Sequence, residues 1–246
     1  MKRGLTVIAV LTVIAALAAT GCVTQQPAAG WVNLFDGRTL NGWIQRGGQS
    51  KYSVRDGMIV GETVLNTPNS FLCTEREYGA FILEVEFQVD DDLNSGVQIR
   101  SQSLPGYKDG RVHGYQAEID PSSKPYAKEP KNLLADGTPA PQTEPRSWSG
   151  GIYDEGRRGW LYDLSRNELA RRAFRHGQWN HFRIEAIGDT IRTWINGVPA
   201  ADLRDGLTPR GFIALQVHSG ATAGLQVKFR NIRIHELAVG HLLDER

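Results

Sequence analysis

Apolar and polar residues alternate along much of this chain with the two-residue period of a β-strand. The clearest run is FILEVEFQV at 81–89, in which every second side chain is apolar. The same period occurs in SGVQIRS at 95–101, GYQAEID at 114–120 and HFRIEAI at 181–187. Because successive side chains point to opposite faces of a strand, each run predicts a strand with one face in a core.

Turn signals separate these runs. The Gly-Asp pair at 188–189 and the Asn-Gly pair at 196–197 each follow a strand-like run and predict tight hairpins. The apolar phase changes within LQVKFRNIRIHEL at 225–237, which predicts a β-bulge near Arg230 and Asn231. Many short strands joined by glycine-rich turns indicate an all-β sandwich or barrel.

Helical periodicity is confined to 163–174, where it predicts one or two turns. The chain has 246 residues, 40% of them hydrophobic, which suits a globular protein. Its formal net charge is +1, so electrostatics gives no argument for a nucleic-acid partner.

The first residues are typical of a bacterial export signal. Residues 1–22 contain two basic residues, an apolar run and small residues, and their end resembles a lipobox with Cys22 as the lipidated residue. Residues 23–29 then form a tether to a single domain at 30–240. The expected location is the cell envelope, in the outer membrane or periplasm, with the lipid anchor as the membrane contact; Val23 favours the outer membrane. An ordinary secreted signal peptide is the alternative.

Cys73 and residues 121–150 say less about the function. Cys73 is then the one cysteine of the mature chain, so no intramolecular disulfide forms, and a buried thiol is expected. Residues 121–150 hold six of the eleven prolines and form a long loop, which is either a wall of a site or an insertion without a role.

The polar positions of the predicted strands are rich in side chains with directional hydrogen-bonding groups. Glutamine and arginine suit a ligand with many hydroxyls, such as a sugar, better than a face that is merely solvated. The positions expected to be exposed on this face are Gln98, Arg100, Gln116, Glu118, Asp120, Gln216 and His218.

A second polar group lies in SGGIYDEGRRGW at 149–160. Its side chains either join the same site or form a surface ion-pair cluster: Tyr153, Asp154, Glu155, Arg157 and Arg158. Trp148 and Trp160 flank the group and either stack on a sugar ring or anchor a loop.

Several catalytic motifs are absent from the sequence. No HExxH or Cys/His cluster predicts a zinc site, and there is no nucleophile elbow, phosphate-binding loop or dinucleotide fingerprint. His218 and His113, which are near the polar positions, are candidate acids or bases. Glu118, Ile119 and Asp120 match the first half of the catalytic motif of laminarinase-like glycosidases, but Ser123 stands where that motif has its second glutamate.

An ordered set of motifs resembles one family, the 3-keto-disaccharide hydrolase domain. The motifs are WVNLFDGRTLNGW at 31–43, NSGVQIRS at 94–101, GYQAEID at 114–120, GIYDEGRR at 151–158, QWNHFRIEAIGDTIRTWINGVPA at 178–200 and GFIALQVHSG with VKFRNIRI within 211–234. The resemblance covers about residues 30–237. It implies a concanavalin-A-like jelly roll of two antiparallel sheets.

The resemblance also implies an activity on glycosides whose carbon 3 is a ketone. A base removes the hydrogen on carbon 2, the substituent on carbon 1 leaves, and water adds to the resulting glycal. In this chemistry Glu118 or His218 is the base, Arg100 stabilises the enolate, and Asp154 or Glu155 is an acid or orienting group. The expected substrate-binding residues are Gln98, Gln116, Asp120, Tyr153, Arg158, Gln216 and Trp160.

No cofactor is required by this chemistry; if a divalent cation polarises the ketone, Glu118, Asp120 and His218 are its expected ligands. Three alternatives stay open at this point. They are a non-catalytic carbohydrate-binding module, a laminarinase-like glycosidase and an adhesive role.

Overall fold

The computed structural model describes residues 30–121, 137–138 and 148–237. The predicted signal peptide with Cys22, the predicted tether 23–29, Ser123 and most of the proline-rich segment 121–150 lie outside these residues. Of the helices that the described residues form, none has the length and hydropathy that crossing a membrane requires.

Within the described residues the chain forms fifteen strands and one short α-helix. In chain order these are β1 Trp31–Asn33, β2 Trp43–Gly47, β3 Lys51–Arg55, β4 Met58–Glu62, β5 Ser70–Tyr78, β6 Phe81–Val89, β7 Ser95–Gln102, β8 His113–Ile119, β9 Ile152–Glu155, β10 Gly159–Tyr162, α1 Glu168–Ala173, β11 Asn180–Ile187, β12 Thr190–Ile195, β13 Val198–Arg204, β14 Gly211–Val217 and β15 Gln226–Glu236.

The described strands pair into two antiparallel sheets. The eight-stranded sheet of the described residues has the order β13-β12-β11-β6-β15-β4-β3, with β1 also paired to β15. The seven-stranded sheet, counted over the same residues, has the order β10-β9-β8-β7-β14-β5-β2. Neighbours in the sheets are therefore often distant in sequence, and the turn between β5 and β6 passes from one sheet to the other.

The apolar faces of the two sheets form the core. Phe81, Leu83, Val85, Phe87 and Val89 of β6 are all buried, which confirms the predicted alternation. They belong to one apolar cluster with side chains from β7, β8 and β14 of the other sheet. Burial of this alternating set against a second sheet is the main stabilisation expected for a sandwich.

The predicted turns and the predicted bulge are confirmed. Residues 188–189 join β11 to β12, and Asn196 and Gly197 join β12 to β13 with φ angles of 51° and 83°. The register of β15 against β6 shifts after Arg230, and Asn231 has a φ of 51°. The helix is shorter than the pattern at 163–174, and the Asn167 side chain caps its first turn by accepting from the Ala170 N–H.

Candidate active site

Five of the predicted site residues share one face of the seven-stranded sheet. Gln98 on β7 pairs with Gln116 on β8, which pairs with Tyr153 on β9. In the adjacent row, Glu118 and Gln216 lie on either side of Gly96, each paired with it. Directly paired residues project from the same face, and here that face points away from the eight-stranded sheet. We call Gln98, Gln116, Glu118, Tyr153 and Gln216 the polar face.

The polar face is buried at four of its five residues, which corrects the expectation that these four side chains are exposed; Tyr153 is partly exposed. Gln98 and Gln216 are 0% exposed, Gln116 is 1% exposed and Glu118 is 6% exposed. Period-two alternation identifies which side chains share a face, but other parts of the chain decide whether that face is covered. A buried carboxylate and buried amides must find hydrogen-bond partners or lose free energy.

Most of these polar groups are paired through a continuous chain of hydrogen bonds. The Ser101 hydroxyl donates to Gln98 Oε1 at 2.5 Å, and Gln98 Nε2 donates to Gln116 Oε1 at 2.9 Å. Gln116 Nε2 in turn donates to Glu118 Oε2 at 2.6 Å. On the other side, Asn94 Nδ2 donates to Glu118 Oε1 at 2.6 Å.

The charge of Glu118 determines the direction of this chain. An ionised carboxylate only accepts, so Gln116 must turn its NH₂ group towards Glu118 and its oxygen towards Gln98. Gln98 must then present its own NH₂ group, which leaves its oxygen for the Ser101 hydroxyl. Hydrogen bonds from Asn94 and Gln116 stabilise the ionised carboxylate and hold it in one orientation.

Three residues of this arrangement were not predicted from the sequence as site residues. Asn94 and Ser101 occupy the two ends of the hydrogen-bond chain, and Gly96 makes room for it. A Cβ on Gly96 would lie 2.4 Å from Gln116 Cδ, so the Gln116 carboxamide packs directly over the bare backbone. The signal available in the sequence was a glycine in the middle of a strand pattern, which marks a close approach.

Gln216 differs from the other amides of the polar face. Among the described residues, neither its Oε1 nor its Nε2 has a hydrogen-bond partner, although both atoms are buried. Its strand neighbours on the side of β5 are apolar: Phe71 is paired with it, and Cys73 is paired with Ala214. These side chains belong to a small apolar cluster on this face, and burial raises the pKa of the Cys73 thiol to about 12.

His218 and Asp120 lie at the margin of the polar face. His218 follows β14, is partly exposed, and its Nδ1 is 2.6 Å from the Ser219 carbonyl. Because a carbonyl only accepts, Nδ1 carries the proton in that contact and Nε2 is the unprotonated nitrogen of the neutral ring. Asp120 follows β8, and its N–H donates to the Ser149 hydroxyl at 2.9 Å.

Glu118, Asp120 and His218 do not form a metal centre. Among the described residues, no group of three or more His, Cys, Asp or Glu side chains has an arrangement that could hold a metal ion. These three side chains therefore do not fit the predicted role of ligands to a divalent cation.

Arg100 does not lie on the polar face, which corrects its predicted position beside Gln98. The register of β7 shifts between Ile99 and Gln102, and Arg100 has a φ of 46°. This irregularity turns the guanidinium away from the polar face. Its Nε donates to the Gly79 carbonyl at 2.7 Å and its Nη1 donates to the Gly188 carbonyl at 2.8 Å. Gly79 and Gly188 lie in turns at β5–β6 and β11–β12, so Arg100 joins the two sheets.

Asp154 is also directed away from the polar face. It pairs with Tyr115, whose ring belongs to the core, whereas its neighbour Tyr153 pairs with Gln116. Both Asp154 carboxylate oxygens accept from guanidinium groups, at 2.7 Å from Arg157 Nε and 2.5 Å from Arg158 Nε. The interpretation as an ion-pair cluster is therefore correct for these side chains, although Asp154 is buried rather than on the surface.

The ion-pair cluster extends to the loop between β13 and β14. Arg158 Nη1 donates to Asp205 Oδ2 at 2.7 Å, and the Tyr115 hydroxyl donates to Asp205 Oδ1 at 2.5 Å. Burial opposes ionisation of Asp205, but the hydrogen bonds from Arg158 and Tyr115 outweigh it and lower the pKa of this carboxyl. Since Asp205 connects the two sheets here, Arg158 has a structural contact that substrate binding does not require.

The remaining predicted residues lie on β9 and β10. Glu155 alternates onto the side of Tyr153, is buried, and accepts from Arg111 Nη2 at 3.2 Å. Trp160 pairs with Tyr153, and its ring packs edge-on against Trp148 and Tyr153 with centroids 4.9 Å and 5.3 Å apart. Both tryptophans are buried, as loop anchors would be.

Comparison with known proteins finds a related sequence and solved structures with a similar fold. A 3-keto-disaccharide hydrolase from Bacteroides thetaiotaomicron is 24% identical over 249 residues, covering 85% of this chain and 79% of that protein. A Parabacteroides distasonis protein provisionally named a glycosyl hydrolase has a crystal structure that matches with a TM-score of 0.60 and 20% identity, covering 85% of this chain and 94% of that one. A Bacillus subtilis protein of unknown function with a galectin-like fold matches with a TM-score of 0.54 and 10% identity, covering 81% and 92%.

The structural matches confirm the predicted fold, a jelly roll of two antiparallel sheets. Residues 30–235 match the 3-keto-alpha-glucoside-1,2-lyase-like domain, which is most of the chain and contains every residue of the polar face. The chain belongs to the 3-keto-alpha-glucoside-1,2-lyase-like domain family.

Proposed function

We propose that this protein cleaves 3-keto-glycosides by elimination and hydration. The observation that carries the proposal is the carboxylate of Glu118, buried on the polar face and held by two amide donors. Family membership and the name of the Bacteroides relative support the substrate class. A ketone on carbon 3 acidifies the hydrogen on carbon 2, so a fixed carboxylate suffices as the base.

Glu118 takes the proton from carbon 2, and the electron pair of that C–H bond forms the enolate. The enolate then re-forms the ketone as the bond from carbon 1 to the leaving oxygen breaks, and the leaving oxygen takes a proton from an acid. The candidate acids are Glu155 in its protonated form and His218 when both ring nitrogens carry a proton. Water adds at carbon 1 of the glycal and a proton returns to carbon 2, so the net reaction is hydrolysis.

Glu118→Gln tests the role of the carboxylate with little change in shape. We expect turnover of 3-keto-trehalose to fall by about 100-fold or more, since a positioned base contributes about 10²–10⁴-fold. The variant should fold, because Gln116 and Gln98 can both flip and the Ser101 hydroxyl can turn to the Ile99 carbonyl, at 3.2 Å. Glu84→Gln is the control, since Glu84 pairs with Arg183 and Arg233 on the other sheet.

The assay compares 3-keto-trehalose and 3-keto-cellobiose with their parent sugars and measures released 3-keto-glucose. Release from the oxidised sugars alone supports the proposal, whereas cleavage of the parent sugars indicates the glycosidase alternative. Sugar binding without cleavage, unchanged in Glu118→Gln, indicates a carbohydrate-binding module.

We also propose that the domain is anchored in the cell envelope through a lipid on Cys22. The support is the sequence pattern of residues 1–22 alone. Detergent-phase partitioning of the expressed protein, compared with Cys22→Ala, tests the anchor; a wild-type protein that partitions into the aqueous phase contradicts it.

A further inference from the structure

Gln216 is a buried amide with unused hydrogen-bonding capacity. It lies on β14 at 0% exposure, and no residue that the structure describes is a hydrogen-bond partner of its Oε1 or Nε2. Leaving a buried donor and acceptor unpaired destabilises a folded protein, and native structures keep few such groups. Gln98 and Gln116 are equally buried, but each already uses both its oxygen and its nitrogen within the hydrogen-bond chain.

The position of Gln216 places it across from the proposed base. Glu118, Gly96 and Gln216 form one row on β8, β7 and β14. Neighbouring strands are about 4.8 Å apart, so the backbones carrying Glu118 and Gln216 are separated by about 9–10 Å. The side chain of Gln116 packs closely against Gly96 between them, since a Cβ on Gly96 would lie 2.4 Å from Gln116 Cδ. This spacing suits one sugar ring whose carbon 2 faces Glu118.

A carboxamide offers one acceptor and one donor side by side. Two neighbouring oxygens on a sugar ring match this pair, because a hydroxyl donates to the amide oxygen while the adjacent hydroxyl or ketone oxygen accepts from the amide nitrogen. Phe71, which is paired with Gln216 and buried, provides an apolar surface beside it. The C–H groups of a sugar ring are suited to such a surface.

We propose that Gln216 is the specificity-determining residue that binds two neighbouring oxygens of the sugar ring, whereas the hydrogen-bonding groups of Gln98 and Gln116 position Glu118 and do not bind the sugar oxygens. This inference rests on the proposed function. The sequence does not distinguish these three glutamines. Their hydrogen bonds do, because Gln98 and Gln116 have partners within the hydrogen-bond chain and Gln216 has none among the described residues.

The experiment compares Gln216→Met with Gln116→Met, two substitutions that conserve volume and remove one buried amide each. Gln216→Met removes unpaired polar atoms, so Tm of the free protein should rise by about 3–8 °C. Its KM for 3-keto-trehalose should rise by about 10–100-fold, with kcat changed far less. Gln116→Met breaks two hydrogen bonds, so Tm should fall and the loss of activity should appear in kcat.

Each outcome is decisive. A fall in Tm for Gln216→Met shows that the amide already has a partner, such as an ordered water, and overturns the inference whether or not the enzyme is active. An unchanged KM in an active wild-type background also overturns it. If calorimetry shows that the wild type binds 3-keto-trehalose but the assay shows no cleavage, the proposed function is wrong. The inference is then tested by the Kd for this sugar, which Gln216→Met must raise. A wild type that neither binds nor cleaves the sugar overturns both. Gln216→Leu repeats the test if the methionine variant does not fold.

Discussion

Replacement of Arg100 by methionine separates a structural role from a catalytic one. Methionine keeps most of the aliphatic stem but loses the donors to the Gly79 and Gly188 carbonyls. A hydrogen bond from a charged donor contributes about 1.5–3 kcal/mol, so the two together contribute about 3–6 kcal/mol. Both carbonyls belong to turns that are at least partly exposed, where water replaces the guanidinium. The expected loss is therefore near the lower limit, about 3 kcal/mol.

A loss of this size lowers Tm by about 6–12 °C for a domain of this length. Thermal unfolding followed by circular dichroism measures Tm, and steady-state turnover of 3-keto-trehalose at 25 °C measures activity of the folded variant. We expect kcat and KM to stay within a factor of about three of the wild type, since the hydrogen bonds of Arg100 to described residues end at Gly79 and Gly188, away from the polar face.

Arg76→Met is the matched control. Arg76 is 65% exposed and pairs with Glu236, so its removal should cost less than about 1 kcal/mol. Our interpretation of Arg100 is wrong if Arg100→Met loses kcat by more than about 100-fold while Tm stays at the wild-type value, because that result is expected of an enolate stabiliser.

Three further predictions concern packing, pH and reactivity. Gly96→Ala places a Cβ against Gln116, 2.4 Å from its Cδ, so it should destabilise the protein by about 1–3 kcal/mol in urea unfolding and lower kcat; an unchanged midpoint contradicts this. Asp205 has a pKa below its ordinary value of 3.8, so it stabilises the fold above that pH, and this stabilisation is lost as pH falls through the folded pKa. The difference in Tm between wild type and Asp205→Asn should therefore shrink between pH 7 and strongly acidic pH, and a constant difference refutes it. Cys73, with a pKa of about 12, should not react with a disulfide reagent at pH 8 until the protein unfolds, and rapid labelling of the native protein argues against its burial.

The strands and their core faces were predictable because burial imposes a two-residue period on the sequence. The alternation correctly predicts that Val97, Ile99 and Ala117 face the core. It also correctly predicts that Gln98 and Gln116, which are paired, lie together on the opposite face. The turn residues were equally informative. The sequence Asn196-Gly197 predicts a hairpin turn with a positive φ at Asn196, and Asn196 has this φ.

The predictions are wrong where the register between strands, rather than the two-residue period, determines the face to which a side chain points. The two-residue period predicts Arg100 on the same face as Gln98, but the irregularity after Ile99 changes the phase of the strand. β9 has only four residues, so its face depends on pairing with β8, which the sequence does not specify. Burial of Glu118 was likewise unpredictable, because the cover of a sheet face comes from segments distant in sequence.

One negative charge aligns the side-chain dipoles of Ser101, Gln98 and Gln116 in a single direction. When the carboxylate takes a proton, the positive ends of those dipoles still point at it. They stabilise the ionised form, so they favour loss of the proton from the carboxyl group. The proposed elimination and hydration removes a proton from carbon 2 and later adds a proton to the same carbon, so the base must give up its proton in each cycle. If Glu118 is the base as proposed, the same alignment that keeps it ionised also favours its release of the proton at the end of each turnover.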